Sequence, residues 1–534
     1  MDLKLFTQTG MFPGVDRKIT TSLPNQSRSE SAVAINPLNM ANMIAVSKKF
    51  VDPALYHFTV EPMVTKDGGF TWLPLPLPVQ PGMDGFTDPV VAFDHNGTAF
   101  VIVMPLQFTN GPERFNVLGM QVFRLLNNGT AWSAAQSLIA GRGVDPSDDK
   151  PWMACDRGAS SPFKGRVYAV WGTGSPLRVA RSKDGGVTWI GPGNFPVGAN
   201  VPGTGSPTLP FGTEVSVDDN GVVHVVWARG SQIAYTRSTD GGENFEAPRN
   251  IVNGITPLGP PALTVTGSFT EFPNAKFRVL TLATGCAVGN RFIVAWSDIR
   301  DGFARIYYHY SDDAGVTWPA SSGKPLWPTL STTSAVQQFH PQIIADGQGV
   351  VACAFYEFGQ GQAGFRISTR IMGSFDQGTT FELPVDVTDG PWDPAINAPL
   401  ARTANDTFIG EYFGLDGGPT GFAVVWTDTR TGVQELFYDY VSTSREDAPF
   451  WFTNGIVATL LGSGVASGGG GLVIVGGKII KVPPRGPSYA LLQAMVTLDA
   501  AEAIGHPSGK KVVKESVKAI VALAKQIAKE KQSG

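Results

Sequence analysis

One octapeptide, Ser/Thr-x-Asp-x-Gly-x-Thr/Asn-aromatic, returns along this chain and constrains its fold more than any other feature. It reads TKDGGFTW at Thr65–Trp72, SKDGGVTW at Ser182–Trp189, STDGGENF at Ser238–Phe245, SDDAGVTW at Ser311–Trp318 and SFDQGTTF at Ser374–Phe381. A decayed copy, LNNGTAW, ends at Trp132. Its chemistry is that of a hairpin turn. The carboxylates of Asp67, Asp184, Asp240, Asp313 and Asp376 are placed to accept backbone N–H bonds across the turn. The glycines adopt positive φ at low steric cost, and the closing Trp or Phe can fold back onto an apolar layer. Five near-identical copies argue for a turn staple rather than for five ligand or Ca²⁺ loops.

Upstream of each turn lies a second pattern. A polar or charged residue opens a short strand ending in Asp or Asn, and a strand of Val, Ile, Ala and aromatics follows. The openings are ESAVAIN from Glu30, DPVVAFD from Asp88, DKPWMACD from Asp149 and EVSVDD from Glu214, with looser copies RVLTLA from Arg278, HPQIIAD from His340 and EYFGLD from Glu411. The strands that follow include TAFVIVM, RVYAVWG, VVHVVWA, RFIVAWSD, VVACAFYE and GFAVVWTD. Continuous β-branched runs bounded by Gly, Asn and Asp read as strands buried on both faces. Seven such units succeed one another at intervals of about 60 residues.

Units of about four short strands, none able to cover its own faces, are the blades of an all-β propeller, stacked around an axis so that only short edges remain. The seventh unit, about Phe408 to Val441, lacks the turn and is one strand short. A terminal segment near Lys18–Leu23 is expected to supply that strand and close the ring; if one unit is only a closing element, the count falls to six blades.

Composition narrows the classes. Only 16% of residues are charged, the net charge is −4 and 42% are apolar. That is too much burial potential for disorder, and it leaves no electrostatic footprint for nucleic acid or an anionic membrane. No apolar run reaches the roughly 18 residues of a membrane-spanning helix, so no transmembrane segment is expected. Cys155, Cys286 and Cys353 lie in apolar stretches without CxxC spacing and read as buried hydrophobes. The opening MDLKLFTQTGMFPGVD lacks the apolar core of a Sec signal, which points to the cytoplasm or a non-Sec route.

The octapeptides, with WSDIRDG at Trp296–Gly302 and WTDTRTG at Trp426–Gly432, resemble those of the BNR/Asp-box sialidase-like (exo-α-sialidase-like) propellers over about residues 20–445. The resemblance implies a sialidase-like β-propeller, a glycan or glycoconjugate as partner, and an extracellular location. Sialidases of this kind hold the substrate carboxylate with three arginines, use a Tyr–Glu pair as nucleophile and an Asp as acid–base. The arginine triad is not evident here. Arg28 lies in QSRSESAV, where the family's Phe/Tyr-Arg-Ile-Pro segment is absent; Phe277-Arg278-Val279-Leu280 resembles that segment but sits in unit five. Arg300 and Arg430 belong to a repeated Asp-x-Arg tripeptide that reads as a structural bridge.

Because the first strand of each blade lines the axis, Glu30, Asp88, Asp149, Glu214, Arg278, His340 and Glu411 are expected to gather at one mouth of the channel and make it acidic. Crowded carboxyls raise one another's pKa and attract cations or sugar hydroxyls; two of them at a suitable separation serve glycoside hydrolysis. Asp88, Asp149, Glu214 and Glu411 are therefore the candidate catalytic groups, with Tyr412 as a nucleophile in the sialidase manner. Arg28, Glu30, Arg278 and His340 are the candidate substrate-binding groups. No cofactor is required; three or more of the carboxylate oxygens would alternatively bind Ca²⁺. The six histidines show no HxxxH or HExxH spacing, so zinc is not indicated.

The chain thus divides into an N-terminal arm (1–22), the propeller (23–445), a Gly/Pro-rich linker and hairpin (446–486) and a small C-terminal helical appendage (487–534). In the last, Ser488–Ile504 and Lys510–Lys529 are helix-prone on either side of Gly505-His506-Pro507, and the second carries a lysine-rich polar face. Two functions fit. One is a carbohydrate-directed propeller, hydrolase or binder, acting through the acidic mouth. The other is a non-enzymatic adaptor that docks to a larger assembly, or self-associates, through 487–534.

Overall fold

The computed structural model describes residues 9–444 apart from 22, 24–25, 111–113, 141–142, 146–147, 173–175, 194, 205–210, 260–261, 267–268, 276, 360–364 and 397–407, together with the backbone of 471–475 and 478–482. Within the unit Asp16–Asp439, seven antiparallel sheets succeed one another along the chain. In the first, Arg28–Ile35, Met43–Asp52, His57–Thr65 and Leu73–Pro74 are joined in chain order. The innermost strands of the other six are Gly85–Phe93, Trp152–Cys155, Phe211–Val217, Ala283–Val288, Gln337–Ala345 and Gly414–Gly418. Each packs on the innermost strand of the next sheet, and Gly414–Gly418 packs back on Arg28–Ile35. The ring is closed, and the protein is an all-β propeller of seven blades; the described residues contain no helix.

The second strand of each blade explains the apolar runs. Val167–Trp171, Gly421–Asp428 and Val351–Gly359 are buried throughout because neighbouring blades cover both faces. The core therefore lies between blades. Val46 and Val60 share a cluster with Val91 and Val101 of the next blade, and Val170 and Val179 with Val225 and Trp227. Trp171, Trp227, Trp296 and Trp426 end equivalent strands and are fully buried. Three of them donate the indole N–H to a carboxylate: Trp171 to Asp148 (2.7 Å), Trp296 to Asp298 (3.2 Å) and Trp426 to Asp428 (3.1 Å). Truncating such a ring costs about 3–5 kcal/mol.

The octapeptides are the staples their chemistry implies. Thr65 Oγ1 donates to Asp67 Oδ1 (2.7 Å) and accepts from Gly69 N–H (2.9 Å), while Asp67 accepts from Thr71 N–H (2.9 Å) and Thr71 Oγ1 (2.6 Å). Asp184, Asp240, Asp313 and Asp376 repeat this network, with the Asn244 amide replacing the threonine hydroxyl. The repeat has a further cause that a single turn would not reveal. A Cβ on Gly69, Gly186, Gly242, Gly315 or Gly378 would strike Tyr438, Phe100, Tyr168, Tyr235 or Ile293. Each of those side chains belongs to the preceding blade. The fifth position is glycine because the turn is pressed onto its neighbour.

Closure uses the N-terminal segment, slightly earlier than expected. Arg17 and Lys18 pair with Tyr438 and Phe437, and Ile19 N–H donates to the Leu436 carbonyl (3.0 Å). Three strand assignments need correction. Asp149, Arg278 and Glu411 do not open strands: the innermost strands of blades three, five and seven begin at Trp152, Ala283 and Gly414. Arg300 and Arg430 are structural, with Nε donating to Asp298 (2.8 Å) and Asp428 (2.9 Å). Apart from the propeller, Thr9–Phe12 pairs with Ser442 and Ser444, and Gly471–Val475 forms a hairpin with Lys478–Val482. The helices expected over 487–534 lie outside the described residues.

Candidate functional site

Six blades begin with the same backbone irregularity. Glu30 (φ 53°), Asp88 (51°), Lys150 (51°), Gly212 (62°), His340 (48°) and Gly410 (89°) are left-handed, the first five each two residues ahead of the residue at which strand pairing starts or resumes, Ala32, Val90, Trp152, Glu214 and Gln342. At Glu30, Asp88, Gly212 and His340 the pairing register slips. A bulge of this kind re-aims a side chain out of the ladder. Four of the six are not glycine, although the left-handed region costs an ordinary residue about 1–2 kcal/mol. Strain held at corresponding points of a ring marks them as functional candidates.

The four left-handed side chains Glu30, Asp88, Lys150 and His340 share one charged cluster with residues beside them. Lys48 Nζ lies 3.6 Å from Glu30 Oε2, and Arg278 is ion-paired with Glu411. Asp149 is hydrogen-bonded to Asp88 and accepts from the Lys150 N–H (2.9 Å). Glu214 accepts from the Gly285 N–H (2.9 Å) and bonds the Thr284 side chain. The Lys150 ammonium sits over the rings of Trp152 (4.5 Å) and Tyr412 (4.2 Å). His340 is 2% exposed, and neither ring nitrogen has a hydrogen-bond partner among the described residues. Asp88, Asp149, Arg278 and Trp152 are half-exposed and form the accessible side of the cluster. Beneath it a cavity of about 500 Å³ runs along the axis between the innermost strands of all seven blades, with Glu214 and Trp152 in its wall.

Burial sets the protonation states. It pushes the Asp149 carboxyl up to about 7, with help from the neighbouring Asp88 charge. Burial likewise raises Glu214 to about 7 against the opposing pull of Thr284, Lys150 and Gly285. Glu30 is raised by burial in spite of Lys48. Lys150 is lowered by burial, although Glu214, Asp88, Glu30 and Asp149 all oppose that shift. Burial, reinforced by Arg278 and Lys150, drives His340 down to about 3, so its ring is neutral at any ordinary pH.

Nine residues were read from sequence as site groups, and eight share this cluster. The exception is Arg28. It is 1% exposed, its Nε donates to Glu61 (2.8 Å), and its Nη1 donates to the carbonyls of Thr21 (3.2 Å) and Gln26 (2.9 Å). It is a framework residue, not a substrate contact. Tyr412 also changes role. Burial and the charges of Glu30, Asp88 and Asp149 hold its phenol far above the usual range, and its hydroxyl donates to the Pro89 carbonyl (3.3 Å), a poor setting for a nucleophile. Nor is the mouth simply acidic, because Lys48 and Lys150 are interleaved with the carboxylates. Both lysines escaped the sequence reading. A signal for Lys150 existed: Asp88-Pro89, Lys150-Pro151 and His340-Pro341 share one dipeptide pattern, whereas Asp149 lies one residue too early. Lys48 comes from a second strand and carried no such mark. No group of three or more His, Cys, Asp or Glu side chains among the described residues is arranged to hold a metal ion.

No protein-family model matches the chain, and no curated protein does. Among solved structures it is similar to a protein of unknown function from Dyadobacter fermentans DSM 18053, at 15% identity and a TM-score of 0.42 over 68% of this chain and 98% of that one. It is similar also to the Hadza microbial sialidase Hz136, at 17% identity and a TM-score of 0.37 over 62% of this chain and 63% of that one. A third likeness is to the NanB sialidase of Streptococcus pneumoniae, at 10% identity and a TM-score of 0.39 over 79% of this chain and 70% of that one.

Proposed function

We propose that this propeller is directed at carbohydrate and that the charged cluster at the axis is a glycoside-hydrolysing site. The observation that carries the reading is the Asp88–Asp149 pair: two hydrogen-bonded carboxyls, half-buried, with Asp149 keeping its proton up to about pH 7. A carboxylic acid neutral at that pH can protonate a glycosidic oxygen, and an ionised neighbour stabilises the positive charge that develops on the sugar. Asp149 is the proton donor in this reading. As that proton passes to the departing oxygen and the C–O bond breaks, water adds to the anomeric carbon; Asp88 accepts the proton the water loses and returns it to Asp149 across their hydrogen bond, while Glu214, Arg278 and His340 orient hydroxyls. Glu411 and Glu30 are held by Arg278 and Lys48 and shape the electrostatics.

The buried, internally bonded Tyr412 favours a second reading, in which the same cluster binds a glycan without cleaving it. A panel of fluorogenic glycosides separates the two. Turnover that falls as pH rises above 7, and that drops at least about 100-fold in Asp149→Asn, supports hydrolysis. Binding on a glycan array without turnover supports the second reading. Neither turnover nor binding would defeat the carbohydrate assignment.

A further inference from the structure

We infer that the sugar this site accepts is uncharged, a hydroxyl-rich neutral ring rather than one bearing a carboxylate or sulfate. The inference rests on the carbohydrate reading above and concerns what that site selects.

The argument is one of charge. Among the described residues the cluster holds three cations and five carboxyls, and every one of those cations already faces an acid. Lys48 is 5% exposed, faces Glu30 at 3.6 Å, and is closed in by the rings of Phe58 (4.1 Å) and Phe408 (4.6 Å). Arg278 is paired with Glu411 and covers the face of Phe408 (5.3 Å). Lys150 stands among Glu214, Asp88, Glu30 and Asp149. Arg28, Arg300 and Arg430 are committed to Glu61, Asp298 and Asp428.

Among the described residues, an acidic sugar would therefore enter a ring of carboxyls without an uncommitted cation to receive it. To capture Arg278 it would have to displace Glu411, which is 8% exposed, and a buried carboxylate stripped of its partner is strongly disfavoured. The groups left for a ligand suit hydroxyls instead. Buried at the base of the cluster, His340 has two nitrogens unpartnered among the described residues on an uncharged ring, able to donate from one and accept at the other. Asp88 and Asp149 offer oxygens at the accessible side, and Trp152 is half-exposed there. A buried site that pairs all its own charges discriminates against an added one.

The test uses matched sugars that differ only at C6, a glucoside with a glucuronide and a galactoside with a galacturonide, measured by calorimetric binding to the full chain at pH 6 and pH 8. The neutral member is expected to bind at least about tenfold tighter at pH 6. The gap should widen at pH 8, where Asp149 and Glu214 ionise. In the double variant Asp149→Asn, Glu214→Gln that widening should disappear, because the charges responsible are gone. Equal or tighter binding of the acidic member would overturn this inference while leaving the carbohydrate reading intact. A pH-independent gap in the unaltered protein would also overturn the charge argument. Binding of neither member, across the whole panel, would overturn the carbohydrate reading and this inference with it.

Discussion

Replacing Asp149 by Asn should make the propeller more stable, by an amount that grows from about pH 4 and levels off above pH 7. The folded protein holds the Asp149 proton to about 7, against an ordinary value of 3.8. Between about pH 4 and 7 the folded state therefore binds a proton that the unfolded chain releases, so stability falls as pH rises through that window. A shift of about three pKa steps corresponds to roughly 4 kcal/mol, fully expressed above pH 7. For a propeller of about 420 residues the unfolding entropy is near 0.9 kcal/mol per degree, so the change amounts to about 4 °C in Tm. The Asn amide can donate to Asp88 and still accept the Lys150 N–H, so no hydrogen bond need be lost. Calorimetry should show Asp149→Asn melting about 3–5 °C above the unaltered protein at pH 8 and within about 1 °C of it at pH 4. Equal differences at both pH values, or a variant less stable at pH 8, would refute the claim that this carboxyl is buried and proton-holding.

Other substitutions test other links. Asp313→Ala removes the acceptor of Ser311 Oγ (2.6 Å), Thr317 N–H (2.8 Å) and Thr317 Oγ1 (2.6 Å), and should cost about 2–3 kcal/mol in urea unfolding at roughly 1 kcal/mol per bond. Those bonds hold Asp313 down at about 2, so its stabilising effect should be complete above about pH 4 and lost as pH falls through 2. Tyr412→Phe should lose no more than about 1 kcal/mol and change turnover less than about threefold, whereas a nucleophilic tyrosine would lose nearly all activity. Arg28→Ala should cost about 2–3 kcal/mol through the lost charge-assisted bond to Glu61, which keeps Lys49 at 2.7 Å, with glycan affinity of the folded protein unchanged; loss of affinity alone would return Arg28 to the site. Removing residues 1–19 takes the outer strand from blade seven and should leave the remainder prone to aggregation, read by light scattering.

Much of the architecture was legible because propeller blades repeat both a turn and a buried strand. The octapeptides mark where strands three and four of a blade meet, and the apolar runs mark strand two. Both are local signals, and five or six copies of each removed the ambiguity of any one. The site was legible only in outline. Blade-opening residues do converge, yet register decided which ones: Lys150 and Gly212 hold the left-handed positions that had been given to Asp149 and Glu214. Those two acids still reach the cluster from one residue before and two residues after the bulge. Lys48 could not be read, because its role depends on two adjacent strands and on Phe58 and Phe408, which are distant in sequence. Arg28 was misread for a related reason. An arginine near a strand start looks available until Glu61, 33 residues later, is found beside it.

A crystal structure of the full chain with a neutral oligosaccharide that it binds in solution tests the central claim most directly. The sugar should lie over the axis, within hydrogen-bond distance of Asp88, Asp149 and His340, with Trp152 beside it. A sugar seated on the blade rims, or at the axis with His340 still unpartnered and Asp149 turned away, would contradict the assignment of function to this cluster.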